Sequence, residues 1–143
     1  MKLNTSFTAN NSGIKRKTRK PSKICLLFDF DFNRTLQVQS YLSNAETDCL
    51  SFEDISIFKT LIRDTCLSTV ASIVLSKESL GENLFSVLSV LKAAEYFGNV
   101  LVYHDRPLSS FEAQQLSSLC DFSMTTTQLA NFSLDSTDEL LVA

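Results

Sequence analysis

The chain has 143 residues, 44% of them hydrophobic, with eleven Phe but only three Gly and two Pro, which suits one packed domain and excludes a loop-rich or low-complexity scaffold. Four scattered cysteines and a single His give no zinc-ligand spacing, so neither a metal nor a cofactor is expected. No apolar run nears the roughly 18 residues of a membrane span, and the polar start lacks the apolar segment of a secretion signal, so the expectation is a cytoplasmic protein.

The net charge of −3 hides two unlike parts. Seven of the thirteen basic residues fall within 1–23, which holds no acid, while all sixteen acids lie beyond it. Residues 1–22 are rich in Asn, Ser, Thr and Lys and lack apolar periodicity, which predicts a disordered arm. Its basic run Lys15, Arg16, Lys17, Arg19 and Lys20 could meet an anionic partner, or lie against the acidic remainder of its own chain.

The structured part is expected over 23–143. Ile24-Cys-Leu-Leu-Phe28 is an unbroken apolar run, the pattern of a strand buried on both faces of a parallel sheet. Cys25 inside it reads as a small buried hydrophobe. Asp29 and Asp31 follow at the strand's carboxyl end, where open α/β sheets place their chemistry. Asn33 is a candidate cap for a helix to Asn44 with Leu36, Tyr41, Leu42 and Ala45 as its apolar members. A short strand about Cys49-Leu50 comes next. Ser51-Phe-Glu-Asp54 then has the form of a capping box, opening a helix with Ile55, Phe58, Leu61 and Ile62 at helical spacing.

Val70 to Ser76 is β-branched and apolar, a third strand. A long helix is expected from Glu82 to Phe97, stopped by Gly98-Asn99, with a fourth strand over Val100-Leu-Val-Tyr103. Ser109-Ser-Phe-Glu112 is a second capping box, opening a helix to Cys120. Phe122 to Thr126 is a weaker fifth strand. Ser136-Thr-Asp-Glu139 opens a last helix, short or truncated at Ala143. The alternation predicts an α/β three-layer sandwich, flavodoxin-like, with a five-stranded parallel doubly wound sheet in the order 2-1-3-4-5.

In element order and in the spacing of its strand ends, the stretch 23–143 resembles the receiver domain of bacterial response regulators. The resemblance implies an acidic pair after the first strand, a phospho-accepting Asp after the third, Ser or Thr after the fourth and Lys after the fifth. Matching Asn33-Arg34 and Gly81 to the family pattern leaves one acid of the pair replaced by Phe28 or Phe30, depending on the register. Ser76 falls at the acceptor, His104 at the Ser/Thr position, and Thr125 or Thr126 at the Lys. A Ser is a weak nucleophile without a base, and Mg²⁺ prefers carboxylate oxygens. The expectation is therefore a degenerate phosphorylation pocket of Asp29, Asp31, Ser76, His104, Thr125 and Thr126 without catalytic residues. His104 would either act as a base toward Ser76 or simply fill the strand end.

With chemistry gone, recognition remains: a phosphorylation-independent signalling domain binding a protein partner or itself. The resemblance implies a face formed by the fourth helix, fifth strand and fifth helix, here Phe111, Gln115, Leu119 and Phe122. Two alternatives stand beside this. Asp29-Phe-Asp31 followed by Thr35-Leu36 is similar to the nucleophile motif of haloacid-dehalogenase-type phosphatases, which would make the chain a Mg²⁺-dependent phosphohydrolase. The domain could also be the targeting front of a longer transcription regulator or pilus-assembly ATPase.

Overall fold

A computed structural model describes residues 23–132 except 45 and 65. Five strands form one all-parallel sheet: β1 (Lys23–Phe28), β2 (Thr47–Phe52), β3 (Ser72–Ser76), β4 (Asn99–His104) and β5 (Phe122–Thr125). Their spatial order is β2-β1-β3-β4-β5, the expected 2-1-3-4-5. Between them run α1 (Phe32–Leu42), α2 (Ile55–Asp64), a short 3₁₀ turn (Leu67–Thr69), α3 (Lys77–Leu80), α4 (Asn83–Ala93) and α5 (Ser110–Ser117), and α6 (Thr126–Leu129) follows the last strand.

Alternation along the strands divides the core into two layers. Leu26, Phe28, Ile73, Leu75, Val100 and Val102 face one way, onto Phe58 and Ile62 of α2, Leu84, Leu88 and Leu91 of α4, and Leu116 of α5. Cys25, Leu27, Val74, Leu101 and Tyr103 face the other way, onto Val38 and Leu42 of α1 and Leu129 of α6. Asp29 continues the second series one step past the strand, and so emerges on the α1 side.

Several helix ends differ from expectation, each for a local reason. Asp31, not Asn33, caps α1: its carboxylate accepts from the Arg34 N–H at 2.9 Å. The earlier start turns Thr35, Val38 and Leu42 inward and leaves Leu36 exposed. Ser51 stays in β2, which pairs with β1 over six residues, and Asp54 caps α2 by accepting from Ser56 and Ile57 N–H at 2.8 and 3.1 Å. α4 ends well before Gly98. The Tyr96 N–H bonds the Leu91 carbonyl and the Glu95 N–H bonds that of Lys92, a Schellman closure with Glu95 in the left-handed region at φ 56°.

The box at Ser109 forms as expected, with Ser109 N to Glu112 Oε1 at 3.0 Å and Glu112 N to Ser109 Oγ at 3.1 Å, although α5 stops at Ser117. β5 ends at Thr125, whose side chain caps the unexpected helix α6 together with Gln128. The basic arm and the capping box at Ser136 lie outside the described residues. Among those residues no helix is long and apolar enough to cross a membrane.

Candidate functional site

The carboxyl ends of β1, β3 and β4 meet around one buried carboxylate. The Asp29 N–H bonds the Phe52 carbonyl at 3.1 Å, and its own carbonyl accepts from Thr35 Oγ1 at 3.1 Å, so the backbone is fixed from β2 and α1 together. Asp29 Oδ1 accepts from Ser79 Oγ at 2.6 Å, from the Asp31 N–H at 2.9 Å and from Arg34 Nη2 at 3.0 Å. Oδ2 accepts from Arg34 Nε at 2.7 Å and from the Tyr103 hydroxyl. Five donors thus converge on a carboxylate side chain with no exposed surface.

Arg34 reaches this point because helical side chains lean toward the helix N-terminus. From the first turn of α1 its guanidinium lies back over the end of β1 and meets Asp29 side-on, a two-pronged geometry that an ammonium would not reproduce. Nη1 donates to Asp105 Oδ2 at 2.9 Å, and Nη2 also reaches Ser79 Oγ at 3.0 Å and Ser76 Oγ at 3.4 Å. Asp105 Oδ1 in turn accepts from Thr126 Oγ1 at 2.6 Å. One cation therefore ties the ends of β1, β3, β4 and β5 into a single network.

Electrostatics follow from that placement. Burial by itself would raise the Asp29 pKa, and the hydrogen bonds from Arg34, Ser79, Tyr103 and the Asp31 N–H outweigh it, holding the carboxyl below its ordinary range. Arg34 is held protonated, first by its hydrogen bond to Asp29. Burial and the Asp29 contact push the Tyr103 phenol up, so it stays a neutral donor.

The expected pocket residues divide. Asp29 and Ser76 come together through Arg34 and Ser79, and Thr126 joins through Asp105. Asp31 is exposed, with its carboxylate engaged as the α1 cap. Thr125 accepts from the Gln128 N–H as the α6 cap. His104 is buried but follows Val102 in the strand alternation, so it is carried on the face opposite Ser76; its Nδ1 lies 2.6 Å from the Arg106 carbonyl oxygen. Ser76 Oγ accepts from the Ser79 N–H at 3.2 Å, capping α3.

This donor set does not suit a divalent cation. Mg²⁺ is held by anionic oxygens in near-octahedral array, and here the one buried carboxylate is covered on both oxygens by a fixed positive charge. Among the described residues no group of three His, Cys, Asp or Glu is placed to hold a metal ion.

Sequence reasoning gave no role to Arg34, Ser79 or Tyr103. The available signals were slight: Tyr103 shares strand parity with a site at the sheet edge, and Arg34 stands three residues after the Asp31 cap. The expected interaction residues do not form one open patch. Phe111 (68% exposed) and Gln115 lie four apart on α5 and are both exposed. Leu119 packs into the layer under α4 and α5, whereas Phe122 packs on the other side of the sheet, its ring 5.2 Å from that of Phe132.

In comparisons with known proteins the chain matches no family model and no curated protein.

Proposed function

We propose that this chain is a receiver-like signalling domain that does no phosphoryl chemistry and acts by binding a protein partner or a second copy of itself. The observation that carries the reading is Arg34. Its guanidinium lies on both oxygens of the carboxylate that a working receiver would use to bind Mg²⁺. Ser76, at the acceptor position, has its oxygen engaged in capping α3. The five-stranded parallel order 2-1-3-4-5 supports the same reading at the level of the fold. A phosphatase built on Asp29 and Asp31 would need both carboxylates aimed at one phosphate. Instead Asp29 is covered and Asp31 is spent on a helix cap.

In this reading the recognition surface is the outer side of α5, where Phe111 and Gln115 stand exposed. Incubation with acetyl phosphate and Mg²⁺, followed by intact-mass measurement, tests the chemical half. The expected result is an unchanged mass, and a stoichiometric phosphoryl adduct would overturn it. Turnover of a chromogenic phosphate ester that is lost in Asp29→Asn would overturn it equally. Light scattering of the wild type and Phe111→Asp separates self-association from binding to another protein.

A further inference from the structure

A second chemical feature lies on the same sheet, away from the strand-end site. Cys25 of β1 and Cys49 of β2 are direct partners in the parallel register, and both side chains face the α1 layer. Ser72 of β3 is the next partner of Cys25 along that row. Cys25 is wholly buried, while Cys49 sits half-buried on the edge strand. Both are free thiols.

We propose that Cys25 and Cys49 form a two-thiol oxidation site that closes to a disulfide across β1 and β2 when it meets a hydroperoxide. Adjacent strands are about 4.7–4.9 Å apart, inside the Cα separation of about 4.4–6.8 Å that a disulfide spans. The half-buried Cys49 meets the oxidant first: its sulfur attacks a peroxide oxygen, the O–O bond breaks, and a sulfenic acid and an alcohol or water result. The Cys25 sulfur then attacks the Cys49 sulfur. The S–S bond forms, the S–O bond breaks, and hydroxide leaves with the Cys25 proton as water. Two electrons and two protons have passed from the thiol pair to the peroxide.

The surroundings favour the second step. The nearby Cys49 thiol, opposed by burial and aided by Ser72, lowers the Cys25 pKa, which suits Cys25 to the attack in that step. Cys49 is kept protonated, first by the neighbouring Cys25 and then by burial, so its oxidation is expected to be slow and to need excess peroxide.

Trypsin separates all four cysteines, on peptides 24–34, 35–59, 64–77 and 93–143. The full chain is treated with hydrogen peroxide, unfolded and alkylated in one step, then digested. The expected product is 24–34 joined to 35–59, two hydrogens lighter than the separate peptides and released by dithiothreitol. In Cys25→Ala the expected product is a Cys49 sulfenic acid trapped by dimedone. Recovery of both wild-type peptides fully alkylated, or pairing of Cys25 and Cys49 only with Cys66 or Cys120, overturns the proposal. The wild-type result decides the matter even if Cys25→Ala does not fold.

Discussion

Arg34 and Asp29 form the most deeply buried ion pair among the described residues. Removing one partner of a buried ion pair strands the other, at a cost of about 3–5 kcal/mol. Arg34→Met is therefore expected to lower the unfolding free energy by about that amount in urea titration. Adding Asp29→Leu to it should recover part of the loss, because the stranded charge is gone. A double mutant whose loss equals the sum of the losses in Arg34→Met and Asp29→Leu measured singly would mean that the pair is not coupled. The pH dependence has a definite sign. The folded-state pKa of Asp29 is depressed, so its contribution is fully present above the unfolded carboxylate value of about 3.9 and is lost as pH falls through the lower folded value. Acid titration of the wild type against Asp29→Asn should show the wild type losing more stability over that range. Little of this was legible in the sequence. Asp29 was visible as an acid at a strand end, but the partner that neutralises it arrives through the backward lean of a helical side chain, which residue spacing alone does not reveal.

Elements were more legible than their ends. Continuous apolar runs located β1, β3 and β4, and helical spacing located the inward face of α2, because burial demands those patterns whatever the caps do. The ends turned on competition between nearby capping groups. Both Ser51 and Asp54 could cap α2, and ladder pairing keeps Ser51 in β2. Asp54→Ala should accordingly cost about 1 kcal/mol, and Ser51→Ala no more than a few tenths. The reverse order would restore the box at Ser51. At the end of α4 a Glu occupies the left-handed position that Gly favours. Glu95→Gly is expected to raise the thermal midpoint, the relief of backbone strain being about 1 kcal/mol; a lowered midpoint would mean that the Glu95 side chain supplies more than the strain costs. α6 escaped notice because a four-residue helix carries no periodicity, and its Thr125-to-Gln128 box was the only cue.

At the scale of the whole molecule, strand order was the most legible feature. Alternating strands and helices with right-handed crossovers leave few arrangements, and 2-1-3-4-5 is the one found. The proposed partner face was less legible. Leu119 and Phe122 belong to core layers on opposite sides of the sheet, and only folding decides which aromatic faces water. The sheet's carboxyl edge is sealed by a protein cation instead of being left open to a metal, and the reading of this domain as a recognition module depends on that seal. Titration of the labelled protein with Mg²⁺ and beryllofluoride, followed by NMR at the Asp29, Ser76 and Ser79 amides and the Arg34 Nε–H, tests it most directly. The account predicts signals that stay in place and an Arg34 Nε–H that remains protected in its bond to Asp29. Saturable shifts at those positions, with release of the Arg34 proton to exchange, would contradict it.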